Sequence, residues 1–197
     1  MPEEQVEEVT DEVAEERPAL DPETAARRAA ALAQVRQFGD PVLKARAVPV
    51  ERFDDKLRAE VARMAGIMGD AIGVGLAATQ LGVMHRVLVY RLGEDGVLAA
   101  LVNPEVEWTG GDVEEAEEGC LSLPGVHVDV ERSVRVRVRA HDEHGDRLLI
   151  EASGLEARVI QHEIDHLDGV LILDRIPRSA RKEAMRELRE ALDARAA

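Results

Sequence analysis

The sequence predicts an α+β fold, with mainly antiparallel sheets packed around one central helix and a further helix at the C-terminus. Three observations carry this. Strand-like stretches are grouped between helical ones, without the βαβ rhythm of a parallel sheet. Ser133 to Ala140 alternates Val134, Val136 and Val138 with Arg135, Arg137 and Arg139, the period of a strand with one buried and one wet face. Gln161 to His166 carries two histidines four residues apart, which come to share a face when the chain is helical.

Taken in order, residues 1–30 form an acidic extension. Glu3, Glu4, Glu7, Glu8, Asp11, Glu12, Glu15, Glu16, Asp21 and Glu23 stand against Arg17, Arg27 and Arg28 there. Pro2, Pro18 and Pro22 interrupt any helix, so this segment reads as mostly disordered, although Glu23 to Val35 could start a helix. The main domain covers residues 31–177. Within it Leu57, Val61, Met64, Ala65 and Met68 recur at helical spacing between Phe53 and Gly69. Arg86 to Leu92 and Leu98 to Val102 read as strands around a turn at Gly93 to Gly96, and His144 to Asp146 turns into a strand from Arg147 to Glu151. Ser153, with Glu156 three residues on, reads as a capping box that opens the histidine helix, and Gly169 ends it as a left-handed cap. Residues 178–197 form an amphipathic helix packed on the same domain through Ala184, Met185, Leu188, Ala191 and Leu192.

A chain of 197 residues with 45% apolar content can bury one core of ordinary size. Aromatic residues make up only 2%, so Val, Leu, Ile, Ala and Met must fill that core. The net charge of −15 argues against nucleic-acid recognition, which needs clustered Lys and Arg. No apolar run approaches the roughly 20 residues of a membrane span. The acidic start lacks the basic and apolar regions of a signal peptide. A single cysteine excludes an internal disulfide and fits a reducing compartment, so the expected location is the cytoplasm.

The segment His162-Glu163-Ile164-Asp165-His166 is an HExxH pattern. Two imidazoles one helical turn apart can reach one ion, and Glu163 beside the first is placed to take a proton from a water that the ion activates. This makes the central helix a metal-binding helix. Leu155 and Val159 share its face with His162 and His166, so the histidines point into a pocket rather than into bulk water. Many zinc proteases draw a third ligand from downstream, but Leu167 to Leu173 contains neither His nor Glu, and Asp174 falls beyond the helix. The lone Cys120 is the better donor. A single cysteine is more often a buried small hydrophobe, but Glu118, Gly119 and Ser122 around it are not apolar filler. One Cys and two His would leave an open fourth position, the arrangement of a catalytic site, and a thiolate admits ferrous iron as well as zinc.

A third block, Gly73-Val74-Gly75-Leu76-Ala77-Ala78-Thr79-Gln80, offers close backbone approach and a neutral amide donor, and lacks the Lys-Ser/Thr ending of a phosphate loop. In this order and spacing, GVGLAATQ, EGCLS and QHEIDH closely resemble the three signature motifs of peptide deformylase. Gly39 to Leu43 (GDPVL) is also similar to that family. The resemblance covers about residues 35 to 175 and leaves out the acidic extension.

The resemblance implies an enzyme that removes the N-formyl group from the formylmethionine of nascent peptides and releases formate. Carried to matching positions, it implies a metal held by Cys120, His162 and His166, with Glu163 as general base and then acid. Gln80 through its amide and Leu121 through its backbone N–H would stabilise the oxyanion. Gly73, Val74, Gly75, Glu118 and Gly119 belong to the substrate-binding walls, with Gly75 pairing to the extended peptide. Val74, Leu155 and Val159 would receive the methionine side chain, and Glu118 would support a ligating histidine. The implied ion is Fe2+, with Zn2+, Ni2+ or Co2+ fitting the same ligands. Arg158 departs from the family, which places an apolar residue there, so its stem is expected to line the pocket while its head snorkels outward. His127 is atypical as well. The C-terminal helix carries Arg178, Arg181, Lys182, Arg186, Arg189 and Arg195 against Glu183, Glu187, Glu190 and Asp193, and its implied partner is the ribosome. The expected state is a monomer.

Three other readings compete. A general metallopeptidase would use the same HExxH on internal bonds, but it lacks the downstream ligand. A catalytically dead homologue would act as a ribosome-associated module, against which stand the intact Glu163 and Gln80. In the third, an active core carries a regulatory acidic segment.

Overall fold

The structure, a computed structural model, describes residues 20–93 and 95–196. Residues 1–19, and the disorder expected of them, lie outside these. The rest of the extension is a helix, α1 (Pro22–Leu32). Asp21 caps it, accepting from the N–H groups of Glu23 and Thr24 at 3.1 and 3.0 Å. Pro22, taken as an interruption, occupies the first helical position, where no N–H is required. Ala31 and Val35 are buried with residues of α2 (Asp55–Asp70), which is itself capped by Asp54.

α2 buries Leu57, Val61, Met64, Ile67 and Met68 against one face of a five-stranded antiparallel sheet. Its order is β1 (Gly75–Ala77), β2 (Val87–Tyr90), β3 (Ala99–Thr109), β6 (Arg135–His141) and β7 (Arg147–Ser153). β2 is an unbroken apolar run because both its faces are covered: Val87 and Val89 meet the α2 side, while Leu88 and Tyr90 meet α3 (Gly154–Leu167). β6 keeps the expected alternation. Val136, Val138 and Ala140 are buried, and Arg135, Arg137 and Arg139 pair outside with Asp112, Glu151 and Glu105.

β3 runs on to Thr109, beyond the expected strand end at Val102. Its register shifts between Val102 and Glu105 hide it from a period-two reading. The sequence reading assigns no strand to residues 113–133. They form a hairpin of β4 (Val113–Cys120) and β5 (Leu123–Ser133). β4 (VEEAEEGC) is mostly exposed and so shows no apolar period. β5 is held from behind by α4 (Ile172–Arg175) and α5 (Arg178–Ala196), with Leu123, Val126 and Val130 buried against Leu171, Leu173, Ala184 and Leu188.

α3 lies between the sheet and the hairpin, burying Ala157, Ile160, Ile164 and Leu167 against the sheet. Its start differs from expectation. Ser153 makes no side-chain cap bond, and Glu156 accepts instead from the Tyr90 hydroxyl at 2.8 Å. Its end is as expected: Gly169 is left-handed (φ 73°), Val170 N–H donates to Asp165 O at 2.8 Å and Gly169 N–H to His166 O at 3.2 Å.

Candidate metal centre

Three elements meet at one cleft of about 450 Å³. α3 supplies His162, Glu163 and His166, the end of β4 supplies Glu118, Gly119 and Cys120, and the edge strand β1 with the short helical turn after it supplies Gly75 and Gln80. Cys120 Sγ lies 3.2 Å from His166 Nε2, and the donor atoms of Cys120, His162 and His166 all fall within 4.8 Å of one another. The two imidazoles meet edge to face with centroids 4.9 Å apart.

This donor set fits a divalent metal. It joins one soft sulfur to two imidazoles, the three protein donors of a catalytic site. The tautomer of His162 is fixed from behind, since its Nδ1 lies 2.9 Å from Glu118 Oε2 and leaves Nε2 for the cleft. Glu163 Oε2 is buried without a hydrogen-bond partner, an acceptor kept for something the cleft receives. Burial pushes the Glu163 carboxyl up to about 7, a range in which it can both take and return a proton near neutrality.

Glu118 is held by more than His162. Arg132 donates to both its oxygens at 2.9 Å, and Arg158 Nη1 donates to Oε1 at 2.9 Å. Burial would raise its pKa, but the bonds from Arg132 and His162 outweigh burial and hold the carboxyl well below the ordinary range. Arg132 also reaches Asp165 at 2.5 Å, and Asp165 is bound in turn by Arg175. A buried chain of charge therefore runs from His162 through Glu118 and Arg132 to Asp165.

Arg158 corrects the expectation placed on it. Its head does not snorkel outward but turns inward, bonding Glu118, Val130 O at 2.7 Å and Glu114 O at 2.8 Å. Arg132, Asp165 and Arg175 were missed by sequence reasoning. Asp165 sits inside the histidine motif, but no local signal in the sequence pairs it with Arg132, thirty-three positions away.

Gln80, 2% exposed, accepts from Ala77 N–H at 2.9 Å. Its amide nitrogen points to Ser122 Oγ at 3.2 Å and Cys120 Sγ at 3.7 Å, so the donor is aimed toward the candidate ligand Cys120. Leu121 lines the cleft in the β4–β5 turn. Gly73, Val74 and Gly75 form the opposite wall. Val159 is buried and lines the cleft, whereas Val74 and Leu155 are exposed at its mouth. His127, opposite Gly119 in register, stands exposed on the rim.

Comparison with known proteins agrees with this geometry. The family model described as polypeptide deformylase matches residues 32–182. The peptide deformylase of Acidothermus cellulolyticus is 47% identical over 161 residues, covering 82% of this chain and 88% of that protein. That of Thermotoga maritima is 47% identical over 143 residues, covering 73% and 86%. Among solved structures, a peptide deformylase from Legionella pneumophila superposes with a TM-score of 0.79 at 39% identity, covering 82% of this chain and 96% of that one. One from Synechococcus elongatus in complex with actinonin gives 0.73 at 44% identity, covering 82% and 86%. The family match spans the elements that line the cleft other than α1 before its last residue, and the chain belongs to the polypeptide deformylase family.

Proposed function

We propose that Glu163 moves the proton, and that Gln80 and Leu121 hold the developing oxyanion, in the reaction of this family. The chain is a metal-dependent hydrolase that removes the N-formyl group from the N-terminal formylmethionine of nascent polypeptides and releases formate. One observation carries the residue assignment. The donor atoms of Cys120, His162 and His166 converge in the same cleft into which Glu163 turns a buried, unpartnered oxygen.

Cys120, His162 and His166 hold the ion. We assign Fe2+, and Zn2+, Ni2+ or Co2+ would fit the same donors. When bound, such an ion supplies Lewis-acid polarisation and acidifies water, chemistry the side chains alone do not provide. Glu163 takes the proton of the attacking water and returns it to the departing amine nitrogen as the formyl C–N bond breaks. The Gln80 amide and the Leu121 N–H donate to the oxygen that gains charge. β1 is the edge of its sheet, so Gly75 and its neighbours can pair with an extended peptide. Val159, with Val74 and Leu155 at the mouth, receives the methionine side chain. An anaerobic preparation assayed for bound metal and for formate release from a formyl-Met tripeptide tests the reading. Cleavage of casein without formate release would overturn it in favour of a general metallopeptidase.

We take the enzyme to be a monomer acting in the cytoplasm, where nascent chains are made. α5 supports contact with the ribosome: Arg178, Lys182 and Arg189 are exposed and unpaired among the described residues. Ribosome co-sedimentation should weaken in Lys182→Glu/Arg189→Glu, and equal binding would refute the contact.

A further inference from the structure

The wall of the cleft includes a piece that the family match does not cover. That match begins at Leu32, the last residue of α1, and the rest of α1 precedes it. Arg28 and Leu32, one helical turn apart on α1, both line the cleft. α1 is fixed rather than trailing, because Ala31 and Val35 are buried, Arg63 donates to Gln34 at 3.1 Å, and Arg36 N–H donates to Gln80 O at 2.7 Å. The placement of Arg28 therefore follows from packing.

The charges around the cleft differ in what they are free to do. Arg158 and Glu118 neutralise one another. Glu163 sits at the metal centre. Arg28 is partly buried and has no ion-pair partner among the described residues, and Glu117, on β4, is the other unpaired rim charge. We propose that Arg28 is a specificity determinant, drawing toward α1 an acidic side chain of the substrate peptide beyond its methionine. This rests on the cleft being the deformylating site. The chemistry it recognises is a carboxylate, and a guanidinium at a half-exposed rim favours such a group modestly and in a salt-dependent way.

The test compares kcat/KM for formyl-Met-Ala-Glu and formyl-Met-Ala-Gln, both C-terminally amidated, using the full chain at low and high salt. The parent should prefer the Glu peptide by about two- to five-fold, through KM and more at low salt. Arg28→Gln should bring the ratio to about one, and Arg28→Lys should restore part of it. A ratio of one in the parent, or a preference that Arg28→Gln leaves unchanged, would overturn the proposal. A third peptide, formyl-Met-Ala-Gln with a free C-terminus, serves as control: if it alone were preferred over the amidated Gln peptide, the site would read a terminal carboxylate, which a nascent chain does not offer, and the proposal would be overturned too. Formate release from the Gln peptide reports the reading of the cleft by itself, and its absence in the metal-loaded parent would sink both.

Discussion

Gly75 passes so close to Glu163 that a β-carbon built on it would lie 2.9 Å from both Cγ and Cδ of that side chain. The backbone of the edge strand is thus the surface against which the Glu163 carboxylate is set, and only a residue without a side chain leaves Glu163 where it is. Gly75→Ala should displace the carboxylate while leaving the three metal donors untouched. A displacement of about 1 Å can cost about 10²-fold in rate. The expected outcome is that loss in kcat with metal content unchanged; wild-type kcat would show that Glu163 need not sit where the glycine puts it. Glu163→Ala, which removes the group altogether, should lose about 10²–10⁴-fold and keep its metal.

Cys120 is the single cysteine of the chain, and its sulfur lies with the nitrogens of the two histidines. Cys120→Ser replaces a soft donor by a hard, poorly ionised one, so the purified protein should carry less metal, or a different one. Elemental analysis reads this directly, and unchanged metal identity and content would remove Cys120 from the ligand set.

Glu118 sets the tautomer of His162 from behind. In Glu118→Gln the amide keeps the shape but loses the charge that orients the ring and balances Arg132 and Arg158. Loss of such a supporting group typically costs about 10–100-fold in metal affinity or activity. Chelator competition should show this, and affinity equal to the parent would reduce the Glu118–His162 contact to packing.

Arg158, where the resemblance leads one to expect an apolar residue, is a structural group in this chain. Arg158→Met would leave Val130 O and Glu114 O without their donor and Glu118 short of one cation. Removing one partner of a buried pair costs about 3 kcal/mol, equivalent to a fall in Tm on the order of 10 °C. Thermal unfolding measures it. A Tm within a degree or two of the parent would mean that Arg132 suffices for Glu118.

The same contrast explains what the sequence could and could not reveal. The three blocks at the cleft were legible because their chemistry is local: a helical spacing, a cysteine among polar neighbours, glycines beside an amide. The α3 end at Gly169 was legible for the same reason. Arg132, Asp165 and Arg175 were not, because an ion-pair chain is assembled by tertiary packing and each member alone resembles a surface charge. The β4–β5 hairpin escaped because β4 turns mostly acids to solvent and so shows no apolar period. α1 was underestimated since its prolines were weighed as breakers, although one of them begins it.

The start of α3 separates local from tertiary causes in a measurable way. A capping box at Ser153 would make Ser153→Ala cost about 1 kcal/mol. In the structure that hydroxyl makes no cap bond, and Glu156, the other half of the pattern, is bound by Tyr90 from β2 at 2.8 Å. Tyr90 is 5% exposed, so removing its hydroxyl strands a partly buried carboxylate oxygen and breaks a charge-assisted bond between sheet and helix. Tyr90→Phe should therefore cost about 1.5–3 kcal/mol, and Ser153→Ala under about 0.5 kcal/mol. Denaturant unfolding of the two variants decides between the causes. If Ser153→Ala proved the more damaging, the helix would be started by its own sequence and not by the sheet beneath it.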